Sequence, residues 1–258
     1  MVFSLMVVGM VLLGYRMLKR MKDGALTLFF LHITKTAGGS LKEALRNSDA
    51  DVLFHYNTDE GFKLDFAYEG RPEIVYGHFL FGDHEKMALP PQYACFLREP
   101  VARTVSHYHH LKNNDFSRVG DRLRTHEDLA DYLLRGRRWE FDNLQCRIIS
   151  GVADKVAFGD VGFSIYEKAR QNLERYFEFI GIFERMDESL DQLKQIVPSL
   201  NELPMVNKGS YDKAIQAETE RLVGSLNHFD RLLYDDALAF TRSRNREFAA
   251  RRQKALSA

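Results

Sequence analysis

Three short stretches of this chain carry side chains fit to hold an anion or move a proton. The first is Thr34-Lys35-Thr36-Ala37-Gly38-Gly39-Ser40. A lysine just ahead of two glycines and a hydroxyl residue suits a loop that gathers backbone N–H groups around one anion, most often a phosphate. The second is Gly77-His78. Histidine titrates near neutral pH and can take a proton from a hydroxyl. His84 is the alternative base, and the chain has nine histidines in all. The third runs from Arg98 through Pro100 and Arg103 to Ser106. A guanidinium forks onto a phosphate, and a hydroxyl two turns into a helix donates to another of its oxygens.

The elements that must position these groups are also visible. Residues 26–33 are apolar and aromatic except for Thr27 and His32, as in a parallel strand covered on both faces. Gly38 and Gly39 are expected to turn the backbone sharply and let it approach a ligand. Ser40 is expected to cap the helix that follows, whose inward stripe is Leu41, Ala44 and Leu45. A short strand over 74–76, ended by Gly77, puts His78 just past a carboxyl end, where open parallel sheets bind ligands. A third buried strand ends at Arg98, and Pro100 suits the first turn of the next helix. Strands alternating with helices predict an α/β fold with a mostly parallel central sheet flanked by helices. Residues 23–258 are expected to form a single domain.

The chain has 258 residues, 45% of them hydrophobic, enough for one large core. Thirty-six basic side chains balance 36 acidic ones. No global basic field points to nucleic acid as a partner. Cys95 and Cys146 make no disulfide framework. Residues 2–13 are nearly all apolar, followed by Arg16, Lys19, Arg20 and Lys22. The run is shorter than the roughly 20 residues that span a bilayer. Its basic flank follows the apolar run, the reverse of a signal peptide. Residues 1–22 therefore fit a marginal membrane anchor, an interfacial helix or a leading segment packed on the domain. If the run inserts, its basic flank leaves the rest of the chain in the cytoplasm.

The lysine loop is not a Walker A loop, which places Lys and Ser/Thr after its last glycine. The stretch from Phe30 to Ser40 resembles the 5′-phosphosulfate loop of sulfotransferases, above all the branch of the heparan and dermatan uronyl 2-O-sulfotransferases and their bacterial relatives. That family usually has proline at the place of Thr34 and often glycine at that of Ala37. The resemblance continues in Gly77-His78, in Arg98 and Ser106 with Arg103 between them, and in the loop around Asn207, Lys208 and Ser210. It implies the P-loop-like sulfotransferase fold and the donor 3′-phosphoadenosine 5′-phosphosulfate (PAPS), with no metal. Residues Lys35, Thr36, Ala37, Gly38, Gly39 and Ser40 would hold the 5′ end of the donor. Arg98 and Ser106 would hold its 3′-phosphate, and Lys208 and Ser210 would close over it. Lys35 would stabilise the breaking bond, and His78 would be the base toward a carbohydrate or other hydroxyl acceptor. The family carries a second histidine where this chain has Tyr76. A Golgi member would sit in the membrane with its catalytic domain in the lumen.

Asn143, Gln145 and Arg147 match a family segment and are candidates for acceptor or cofactor contacts. His107, His109 and His110 lack a cysteine or carboxylate to complete a metal site. Arg135, Arg137 and Arg138 before Trp139 form a basic-aromatic patch, read as a solvated helix end. Thr125 to Asp128 reads as a capping box. Two other functions stay open: a nucleotide kinase-like P-loop enzyme, and a non-catalytic membrane-associated nucleotide-binding module.

Overall fold

The computed structural model describes residues 27–55, 72–114, 128–200, 203 and 215–241. The expectations for residues 1–22, Thr125, Lys208 and Ser210 lie outside the described residues. Among those described, no helix is long and apolar enough to cross a membrane.

Five strands form one sheet: β1 (Leu28–Leu31), β2 (Val52–His55), β3 (Ile74–Gly77), β4 (Tyr93–Leu97) and β5 (Phe177–Ile182). Their order is β2-β3-β1-β4-β5, and every pairing is parallel. The helices are α1 (Gly38–Arg46), α2 (Pro100–Asn114), α3 (Leu129–Gly136), α4 (Leu144–Ser150), α5 (Phe163–Tyr176), α6 (Met186–Ile196) and α7 (Ala217–Leu226). A further helix, α8, covers 228–241. The α/β class expected from the alternation of elements is the one observed.

Side chains alternate across a strand, so β1 feeds two cores. Phe29 and Leu31 pack with Val75, Cys95 and Leu97 beneath α4, α5 and α8. Leu28 and Phe30 pack on the other face with Tyr76 and Phe96, under Leu41 and Leu45 of α1 and Leu193 of α6. Each such buried side chain contributes about 1.5–3 kcal/mol. Cover on both faces explains why the central strand reads as a continuous apolar run. A third cluster joins Val105 and Tyr108 of α2 to α3 and to Val223 of α7. It seats the helix that carries Ser106.

The polar trio at the start of α4, with Asn143 as its N-cap, belongs to this scaffold, which corrects the expectation of ligand contacts. Asn143 donates to Asp142 and to the Leu226 carbonyl. Arg147 donates to the Asp142 carboxylate and to the carbonyls of Asp142, Ala153, Val156 and Ala157. Gln145 holds the main chain of Arg98. Buried Asp230 of α8 caps the start of α4, accepting from the N–H groups of Gln145 at 3.0 Å and Cys146 at 2.7 Å. Asp128 caps α3, accepting from Asp131 N at 2.8 Å.

Candidate active site

Three segments leave the carboxyl ends of neighbouring strands together. β1 runs into the 32–37 loop, β3 into His78, and β4 into Arg98. Register aligns them, because Leu31 lies opposite both Gly77 and Cys95. From β1 the chain builds first to one side, then to the other. In open parallel sheets, ligands bind at such a switch point.

The loop after β1 turns on Lys35 (φ 71°) and Ala37 (φ 68°), both left-handed, with Thr36 between them. Left-handed backbone costs a residue with a side chain roughly 1–2 kcal/mol. Thr36 helps hold the turn by donating from Oγ1 to the Ile33 carbonyl at 2.8 Å. Alternating backbone of this kind aims successive N–H groups into one concavity. Helix α1 starts at Gly38, with Ala37 as its N-cap and no side-chain cap bond. Ser40 is thus a helical residue rather than the cap. The first turn of α1 contains no acidic residue, so its positive end stays available to an anion. Neither Gly38 nor Gly39 has positive φ, so the sharp turn is not theirs. Gly38 is needed for a different reason: a Cβ there would stand 1.6 Å from Nε2 of His32.

Lys35 is half-buried in this loop. Burial, then the charge of Arg98, lowers its pKa below the ordinary lysine value. Arg98 reaches across from β4 and donates from one guanidinium nitrogen to the Lys35 carbonyl at 3.0 Å. Its guanidinium lies over the Phe183 ring, 4.3 Å from the centroid. Its main chain is clamped by the Gln145 amide, which accepts from Arg98 N and donates to Arg98 O, both at 3.0 Å. Arg98 Nε is shielded from solvent and has no partner among the described residues. Glu99, the neighbouring carboxylate, is engaged elsewhere: it caps α2 through the N–H groups of Val101 and Ala102 and pairs with Arg231. Ser106 is on α2, 4% exposed. Arg103, 0% exposed, turns into the domain and donates to the Glu140 carbonyl and Thr104 Oγ1. Burial lowers its pKa to about 10, and it remains a cation at neutral pH.

His78 stands beside this cationic corner. Its Nδ1 lies 2.9 Å from the His32 carbonyl. A carbonyl only accepts, so Nδ1 carries the proton and Nε2 carries the basic lone pair. Burial lowers the His78 pKa, partly offset by that carbonyl bond, with the charges of His55 and Lys42 lowering it further. The ring is therefore neutral at pH 7 and in the tautomer a general base needs. Gly77 is required beside it, since a Cβ would meet the His55 carbonyl at 1.6 Å. Tyr76 is buried on β3 and donates to the Gly38 carbonyl at 2.7 Å, bracing the loop.

His84, the alternative base, is engaged with Tyr93. Its Nδ1 is 2.7 Å from the hydroxyl of Tyr93, the first residue of β4, at the amino edge of the sheet. Among the described residues, no group of three His, Cys, Asp or Glu side chains is arranged to hold a metal ion. The basic patch is a largely exposed helix end, as expected: Arg135 pairs with Asp131 at the surface, Arg138 pairs with Glu140, and Arg137 lies over Phe158. One site residue was missed from sequence. His32 packs against both Gly38 and His78, and its only signal was a polar break at the end of an apolar strand.

No protein-family description matches the chain, and no curated relative does. Among solved structures, mouse sulfotransferase SULT7A1 complexed with PAP is similar, with 13% identity and a TM-score of 0.40. The match covers 77% of this chain and 64% of that one, so this chain spans less than two thirds of that protein's length. What the site here can do follows from its own side chains.

Proposed function

We propose that this chain transfers a sulfuryl group from PAPS to an acceptor hydroxyl, a carbohydrate hydroxyl being the first acceptor class to try. The observation that supports it is the bond from Arg98 to the Lys35 carbonyl. It joins two cationic elements, one suited to each phosphate-bearing end of such a donor, beside a neutral histidine. The donor's charges fit these residues: a concave N–H array, an uncapped helix start and an Arg98 Nε lacking a partner among the described residues. The loop from Lys35 to Ser40 would hold the 5′ side, and Arg98 with Ser106 the 3′-phosphate. Lys208 and Ser210 are proposed to complete the donor site. His78 takes the acceptor proton on Nε2 as the hydroxyl oxygen bonds to sulfur and the sulfur–oxygen bond to the leaving phosphate breaks. Lys35 balances the charge left on that phosphate. Residues 1–22 are proposed to hold the domain at a membrane surface, which fractionation with and without them tests.

The test of activity is transfer of radioactive sulfur from PAPS to a panel of glycans and simple alcohols. Wild-type enzyme should label at least one acceptor. Lys35→Ala and His78→Ala should each lose about 100-fold or more while remaining folded. Undiminished transfer by either variant would remove that residue from the mechanism.

A further inference from the structure

His32 is absorbed by neither anion binding nor proton transfer, yet it touches the machinery of both. It is the first residue past β1, and its N–H donates to the Gly77 carbonyl at 2.8 Å. Its ring is stacked on that of His78, with centroids 4.4 Å apart and planes 24° from parallel. On another side it stacks on Tyr76, at 5.6 Å and 18°. The Cα of Gly38, at the start of α1, closes in on its Nε2 so tightly that no side chain fits at 38. Its own carbonyl accepts the Nδ1 proton of His78. One residue therefore meets the base twice, by main chain and by ring, and meets the anion loop once.

We infer that His32 is a positioning residue: wedged between Gly38 and His78, it fixes the ring plane and the tautomer of the base and registers that base against the anion loop. This rests on the proposed role of His78. His32 is not assigned the base role, because its Nδ1 is shut off from solvent and Gly38 packs against its Nε2. Burial, then the charges of His78, Lys35 and Lys42, keep it neutral, so the stack carries no charge repulsion. The groups bearing on His78 from its surroundings include His32, His55 and Lys42.

The test is nitrogen NMR of histidine rings in the full chain across a pH series, on wild type, His32→Ala and His32→Gln. In wild type, His78 should show the Nδ1–H tautomer and titrate below the ordinary value of about 6.5. His32→Gln should keep both features, because a flat amide of similar reach fills the wedge. His32→Ala should free the ring, mix the tautomers and move the midpoint toward about 6.5. An Nε2–H tautomer in wild type overturns the inference whether or not the alanine variant folds, and so does an unchanged His78 in folded His32→Ala. A parallel titration with 3′-phosphoadenosine 5′-phosphate (PAP) separates the two claims. If the histidine behaviour holds and PAP does not bind, the sulfotransferase assignment fails and the wedge stands.

Discussion

Replacing Gln145 with leucine removes both bonds that fix the Arg98 main chain. Gln145 is 1% exposed, so leucine fills the space without restoring either bond. Its own N–H stays on Asp230, so the start of α4 is preserved. The Arg98 N–H and C=O then lose their partners at the end of β4. A buried polar group left unsatisfied costs about 1–3 kcal/mol. Arg98 is only half-buried, so water recovers part of this, and a loss of about 2–4 kcal/mol in folding stability is expected for the pair. The guanidinium should also lose its register over Phe183 and the Lys35 carbonyl. Losing one hydrogen bond to a charged group is worth about 1.5–3 kcal/mol, or about 10–100-fold in the Kd for PAP. Urea unfolding measures the first quantity and calorimetric titration the second. Gln145→Glu keeps the acceptor but sets a buried carboxylate oxygen against the Arg98 carbonyl, so it should cost at least as much stability as leucine. A Gln145→Leu protein that is destabilised yet binds PAP as wild type does would refute the idea that Gln145 places Arg98.

Three further outcomes are expected. Ala37→Gly relieves left-handed strain and should raise stability by up to about 1 kcal/mol, after the entropy of glycine is counted; lower stability by urea unfolding would contradict the strain. Gly38→Ala drives a methyl into His32, so it should cost about 1–3 kcal/mol and weaken PAP binding; an unaffected protein would contradict the contact. His32, His78, His84 and His107 all have lowered pKa values, burial being the first cause in each. The unfolded chain then binds more protons below about pH 6.5, so their stability contribution is full above that and lost as pH falls through their folded values. The thermal midpoint should drop between about pH 7 and about pH 5.5; a midpoint that rises on acidification would contradict it.

The strand–loop–helix at 26–46 was legible because a doubly covered strand has no polar face and its apolar run stands out. His78 was legible because a glycine–histidine pair follows a short strand. What failed was anything set by distant packing. Gly38 reads as a turning residue, but its small size answers to the ring of His32 rather than to φ. The turn itself falls on Lys35 and Ala37, which ordinary propensity does not mark. Asn143, Gln145 and Arg147 read as ligand contacts because they match a segment of the family that the chain resembles. Their partners, Asp142, Asp230 and the Arg98 main chain, lie up to 87 residues away or on another element, and local sequence does not announce them. His84 reads as the alternative base, and its bond to the Tyr93 hydroxyl, at the start of β4, is not announced by local sequence.

The most direct measurement is calorimetric titration of the full chain with PAP, AMP and ATP, repeated on Arg98→Ala. A donor site built from the Lys35 loop and Arg98 predicts that PAP binds tightest. It also predicts that the preference for PAP over AMP shrinks by about 10–100-fold in Arg98→Ala, the loss of a charge-assisted contact to one phosphate. Binding indifferent to the 3′-phosphate, or a preference that survives Arg98→Ala intact, would contradict it.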